Sequence, residues 1–221
     1  MGYHPEDKSS LSASKGAMEN FELVSDEWPE QRENNLTPRQ EEILDQLEGI
    51  ILRNGFRSLR LSDLTAELHC SRNILYALAP SKDELALLVI ERYMARLRVE
   101  LSCAFEKAET ARDRIALALD ALSLRAGLVS RRFYEDVAQY APAREVQVRH
   151  RKLVVSQLRE IIASGIEEGA FNRIDALFAA EVIQMLVISI ADGRLVGRTG
   201  LSSAEAAAEF KRLIFDGLIA N

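Results

Sequence analysis

The stretch Arg53–Leu85, RNGFRSLRLSDLTAELHCSRNILYALAPSKDEL, constrains the fold more than any other part of the 221-residue chain. It compresses a short helix, a tight turn, a second short helix, a proline stop and the start of a third helix into one segment. Ahead of it, Thr37-Pro38-Arg39-Gln40 reads as a capping box with Pro at the first helical position. Ile43, Leu44, Leu47, Ile50 and Ile51 then share one helical face. Asn54-Gly55 ends that helix, because Gly is free to take φ > 0. Ser62 is placed to cap a helix running to about Leu68, and Ser71 the next, ending near Leu78. Ala79-Pro80 stops the chain. Ser81-Lys82-Asp83-Glu84 is a second capping box, and the helix it opens repeats Leu85, Val89, Tyr93, Leu97, Leu101 and Phe105 every four residues.

Beyond this segment the pattern stays helical. The expected helices run from about Thr110 to Leu128, Arg131 to Tyr140, Pro142 to Glu168 with Gly169 as the stop, Asp175 to Val196, and Ser202, capped with Glu205, to about Ile219. No stretch alternates with period two for long enough to make a strand. The expectation is an all-α chain of about nine helices without a sheet. A three-helix helix-turn-helix domain spans 37–84, and a larger helical domain spans 85–221. Residues 1–36 hold three Lys/Arg against eight Asp/Glu, nearly all of the chain's net charge of −6. So little apolar surface does not offset the entropy of ordering, so a disordered tail is expected there.

Composition narrows the function classes. With 48% hydrophobic residues the chain can bury a real core, and its negative charge argues against coating nucleic acid or anionic membrane wholesale. A local basic face is still compatible with it. No apolar run approaches the ~18 residues of a transmembrane helix. The N-terminus has neither the basic nor the apolar region of a secretory signal, so a cytoplasmic protein is expected. The two cysteines, Cys70 and Cys103, and three histidines have no metal-type spacing. Cys70 reads as a small core residue. Glu135-Asp136 beside Arg131-Arg132 reads as surface pairing at i,i+4. With no Gly-rich phosphate loop, nucleophile elbow or triad, no enzyme and no cofactor are expected.

Reading base edges requires a short helix that enters the major groove, braced by a second helix and anchored to phosphates. Leu61, Leu64 and Leu68 give the first short helix a face to bury, and Ile74, Leu75 and Leu78 do the same for the second. Ser71, Arg72, Asn73, Tyr76 and Ala77 are left outward. Arg and Asn make bidentate contacts to guanine and adenine, and Ser and Tyr are natural phosphate partners. Arg57, Arg60, Arg72 and Lys82 flank this face. The candidate DNA-contacting residues are therefore Arg60, Ser62, Ser71, Arg72, Asn73, Tyr76 and Lys82.

These residues also carry a resemblance. From about Arg39 to Val89 the sequence resembles the DNA-binding domain of the tetracycline-repressor (TetR) family of bacterial transcriptional regulators. The shared frame is Ile43-Leu44, Gly55-Phe56, Leu61, Asp63-Leu64, Ser71, Leu75-Tyr76, Ser81-Lys82 and Leu85. The block from Tyr76 to Leu85 is its most specific part. His69 and Asn73 stand where the family usually has Gly, Ala79 where an aromatic residue is usual, and Leu47 and Thr65 where Ala is usual. The operator therefore does not transfer from relatives.

The resemblance implies a larger domain that binds a small effector and dimerises through its last two long helices. Two-fold pairing also suits the task, since one short helix reads few base pairs. The candidate interface residues are Ile183, Leu186, Val187, Ile190, Phe210, Leu213 and Ile214. A pocket is expected among the central helices, with Phe105, Leu124, Phe133, Tyr134, Gln139, Tyr140, His150, Phe178 and Met185 as candidate lining. Gln184 and Asp192 are further polar candidates. Two functions stay open. One is a dimeric, ligand-responsive DNA-binding regulator, a repressor released from its double-stranded operator by a small lipophilic or aromatic effector. The other is a dimeric effector- or protein-binding module whose helix-turn-helix no longer binds DNA.

Overall fold

The computed structural model describes residues 36–125 and 128–218, apart from the side chains of 122–125 and 218. The expected tail, residues 1–36, lies outside the described residues except for Leu36. The described residues form ten helices and no strand: α1 Pro38–Asn54, α2 Leu61–Glu67, α3 Arg72–Leu78, α4 Lys82–Glu106, α5 Ala111–Arg125, α6 Arg131–Gln139, α7 Ala141–Glu167, α8 Ala176–Ala191, α9 Arg194–Thr199 and α10 Ser203–Leu218.

The caps set most of the boundaries. Thr37 accepts from the Gln40 backbone N–H while the Gln40 side chain takes the Thr37 N–H at 2.9 Å, a complete capping box. Ser81 accepts from Glu84 N at 3.2 Å and opens α4. Ser202 and Glu205 cap α10 reciprocally at 2.8 and 3.2 Å. Pro142 lies in the first turn of α7, where its missing N–H costs nothing.

Two boundaries differ from the sequence reading. The chain turns into α2 at Arg60, so Ser62 falls inside the first turn and bonds Asp63 instead of capping the helix. The helix expected over Asp175–Val196 breaks at Asp192-Gly193. Gly193 takes the left-handed conformation, φ 77°, and the Asp192 carboxylate accepts from Arg194 N at 3.0 Å, starting the extra helix α9. The apolar pattern hides this break because Leu195 and Val196 of α9 still pack on the same core.

Two apolar clusters organise the fold. In the head, Ile43, Leu44, Leu47, Ile50 and Ile51 of α1 are buried with Leu64, Leu68 and Leu75 of α2 and α3 and with Leu85, Ala86 and Val89 at the start of α4. In the body, Ile115 and Leu119 of α5, Leu158 and Ile162 of α7, Ala180, Ile183 and Ile190 of α8, and Phe210 of α10 form one core. Helix α4 is common to both: its first turns lie in the head and its later turns pack on α5 and α7. Such burial is the main favourable term in folding, roughly 25 cal/mol per Å² of apolar surface.

Candidate functional site

The head presents one polar face. Leu75 and Leu78 turn α3 inward, leaving Ser71, Arg72, Asn73, Tyr76 and Ala77 exposed. Ser71 is the N-cap of α3, yet its side chain makes no capping bond, so its hydroxyl is available to an external phosphate. The turn before α3 runs through His69 at φ 46°, the left-handed conformation that a Gly would take without strain. Arg39 on α1 holds this turn: its Nη2 donates to the carbonyls of Leu68 and His69 at 3.2 and 3.3 Å. The sequence reading missed that strut, because nothing local to Arg39 shows where the turn will lie.

Two of the four flanking bases are occupied within the chain. Lys82 Nζ donates to the carbonyls of Arg57 and Leu59 at 2.9 and 3.2 Å. Lys82 thus braces the α1–α2 loop as well as being the expected phosphate anchor, an ammonium having three donors. Arg57 donates to the Gln139 carboxamide oxygen on α6. Arg60 and Arg72 remain exposed beside the outer face of α3. Cys70 is partly buried, and burial pushes its thiol up, with Arg39 opposing.

Two sets of contacts fasten the head to the body. Arg92 of α4, buried, lies 2.9 Å from Asp45 and 3.7 Å from Glu48 of α1, and Arg96 lies 3.0 and 3.4 Å from the same pair. The two carboxylates titrate in opposite directions. Burial raises Glu48 more than Arg96 and Arg92 lower it, whereas at the more open Asp45 burial is outweighed by Arg92 and Arg96 and the pKa falls. The second set centres on α6. The buried Asp136 carboxylate accepts from the backbone N–H of Phe56 at 2.7 Å and of Arg57 at 3.0 Å. Ser130 N donates to Leu52 O at 2.8 Å, and Tyr140 meets Phe56 edge-on at 5.9 Å. Arg131–Glu135 is the expected i,i+4 surface pair, but Asp136 is a buried latch, because the Gly55 loop covers it.

The body encloses a cavity of about 330 Å³ between α4, α5, α7 and α8, within the usual range of small-molecule sites. Its wall is apolar, built from Tyr93, Leu97, Leu101 and Phe105 of α4 and from neighbours that include Ile115, Val154 and Ile183. Tyr134 of α6, His150 and Gln157 of α7, and Gln184 of α8 add polar groups. The four-residue stripe of α4 is thus head core at Leu85 and Val89 and cavity wall from Tyr93 onward.

Burial pushes His150 down to about 4, with the Arg98 charge adding to it. The unfolded chain takes up a proton near pH 6.5 that the folded chain refuses until about pH 4. Stability contributed at neutral pH is therefore lost as pH falls between those values, by on the order of 2–3 kcal/mol. Urea unfolding at pH 7 and pH 4.5 should show this loss in the wild type and much less of it in His150→Leu.

Solved structures share this fold. The reduced form of NemR from E. coli superposes with a TM-score of 0.71 at 18% identity, over 84% of this chain and 99% of that one. A putative transcriptional regulator from Saccharomonospora viridis in complex with choline gives 0.72 at 19% identity, over 82% and 98%. A TetR-family transcriptional regulator from Agrobacterium tumefaciens gives 0.69 at 13% identity, over 82% and 98%. The fold is that of the TetR-family regulators. No protein-family model and no curated protein matches the sequence.

Within the TetR fold, the sequence-predicted body residues divide differently from expectation. Phe105, Tyr134 and His150 line the cavity. Phe133 is completely buried in the core beside it, Gln139 is engaged by Arg57, and Tyr140 packs on Phe56. Phe178 and Met185, expected in the pocket, are 62% and 55% exposed on the outer face of α8. The side chain of Leu124 lies outside the described residues. Conversely, Ile183 and Ile190, expected at a subunit interface, turn inward and line the cavity, and Phe210 is buried in the chain's own core. Leu186 and Ile214 are partly buried against that core, as is Val187, which also lines the cavity. Leu213 alone of that set is strongly exposed, at 64%. A helix apolar all round does not declare which face meets its own chain.

Proposed function

We propose that the chain is a dimeric, cytoplasmic, ligand-responsive transcriptional regulator, a repressor released from a double-stranded DNA operator by a small lipophilic or aromatic effector. The observation that carries this reading is the pairing of an exposed Ser71-Arg72-Asn73-Tyr76 face with a separate apolar cavity, joined by two shared helices. Helix α4 starts in the head and walls the cavity from Tyr93 to Phe105. Helix α6 puts Tyr134 on the cavity and Asp136 on the head loop. A ligand that displaces either helix displaces the Phe56–Arg57 loop and the Lys82 brace with it. That changes the separation of two reading heads and ends their fit to paired half-sites. Among the described residues no helix is long and apolar enough to cross a membrane.

Arg72 and Asn73 are the expected base readers. Fluorescence anisotropy with the DNA upstream of the coding sequence should show salt-sensitive binding that random duplex does not match. Arg72→Ala should weaken it about 10–100-fold, the worth of one bidentate contact to guanine. Equal affinity for both duplexes would remove the regulator reading and leave an effector-binding module.

The dimer face proposed here keeps Leu213 of the residues expected from sequence and adds three others from α8. Leu177, Phe178 and Met185 on α8 and Leu213 on α10 are exposed, apolar and on the two helices that the TetR fold offers for pairing. Light scattering should report twice the chain mass of 24.7 kDa for the wild type. Met185→Glu should shift it toward a single chain, since an unpaired charge in an apolar interface is costly.

A further inference from the structure

The polar inventory of the cavity says what charge its occupant carries. Its buried and half-buried polar groups are uncharged: the Tyr134 hydroxyl, the Gln147, Gln157 and Gln184 amides, and the His150 imidazole. Burial holds the Tyr134 hydroxyl protonated and the His150 ring neutral. Arg151, on the wall, is paired with Glu181 at 2.6 Å, so it is not waiting for an anion. His150 stands in the wall on one face of α7 with Gln147 and Gln157, so a neutral imidazole and two amides lie together there. A neutral imidazole offers one donor and one acceptor, so a hydroxyl, which is both, suits either tautomer.

We infer that the cavity takes an uncharged, mainly apolar molecule bearing a hydroxyl group, a phenol or an alcohol, seated against the His150 imidazole. This rests on reading the cavity as the effector site. An acid would have to enter with a proton for His150 or leave its charge unpaired, and a hydrocarbon would displace water from the wall's imidazole and amides without replacing its hydrogen bonds.

Isothermal titration calorimetry on the full chain with 2-naphthol, 2-methylnaphthalene and 2-naphthoate tests it. The expected order has 2-naphthol about tenfold tighter than each of the other two, the worth of one hydrogen bond. His150→Leu should bring 2-naphthol and 2-methylnaphthalene to within about twofold of one another, with 2-methylnaphthalene still bound as evidence of an intact cavity. Tightest binding by 2-naphthoate, with uptake of a proton seen as a dependence on buffer ionisation heat, would overturn the inference. So would an unchanged preference in His150→Leu, or no binding by any of the three. Upstream-DNA binding measured on the same protein separates the cases. Retained DNA recognition without probe binding removes only this ligand class, and probe binding without DNA recognition removes the regulator reading.

Discussion

Gly55→Ala should destabilise the protein by about 4 kcal/mol, from two causes that add. Gly55 has φ 72° and ψ −173°, a region essentially closed to residues with a side chain. An added Cβ would lie 2.4 Å from Asp136 Oδ2, the oxygen that takes the Phe56 and Arg57 N–H groups. Backbone strain of about 1–3 kcal/mol combines with loss of charge-assisted hydrogen bonds worth about 1.5–3 kcal/mol each. Asp136→Ala is the companion: it spares the backbone but strands two donors, and should cost about 2–3 kcal/mol. Urea unfolding monitored by far-UV circular dichroism measures both. A Gly55→Ala protein within 1 kcal/mol of wild type would mean that α6 does not grip the head as described.

Phe133→Ala should cost about 3–5 kcal/mol, the usual range for emptying a fully buried phenylalanine site. Phe133 is 0% exposed and meets Tyr93 and Tyr134 edge-on at 6.4 and 5.6 Å. Were it a cavity-lining contact, as its neighbour Tyr134 is, truncation would enlarge existing space and cost little stability. Leu101→Ala supplies that comparison. It is a half-buried wall residue, and its change should cost about 1 kcal/mol. Equal small effects at both positions would place Phe133 on the cavity after all.

The Asp136 latch and the α4 stripe give the proposed signal a short physical route. Tyr134 and Asp136 are two residues apart on one nine-residue helix. A rigid helix cannot rotate at one end alone, so movement at the cavity wall reaches the Phe56–Arg57 loop directly. The coupling is between two discrete contact sets, which is what a two-state switch requires.

What the sequence determined by itself is local. Caps, stops and the 3.6-residue period act within a few residues, so Thr37, Ser81, Ser202 and Gly55 marked helix ends that the structure keeps. The outward face of α3 was legible for the same reason: Leu75 and Leu78 must point inward, and Ser71, Arg72, Asn73 and Tyr76 then cannot. Three-dimensional packing decided the rest. Lys82 and Arg57 sit among exposed-looking residues, yet carbonyls and an amide from distant parts of the chain accept hydrogen bonds from them. Asp136 reads as a surface acid until the Gly55 loop lies across it. Helix α8 is apolar on nearly every side, so its sequence could not say that Ile183 and Ile190 face the cavity while Phe178 and Met185 face outward. The hydrophobic effect is non-directional: it favours burial of every face of such a helix, and only the neighbouring helices decide which face belongs to the fold and which is left exposed.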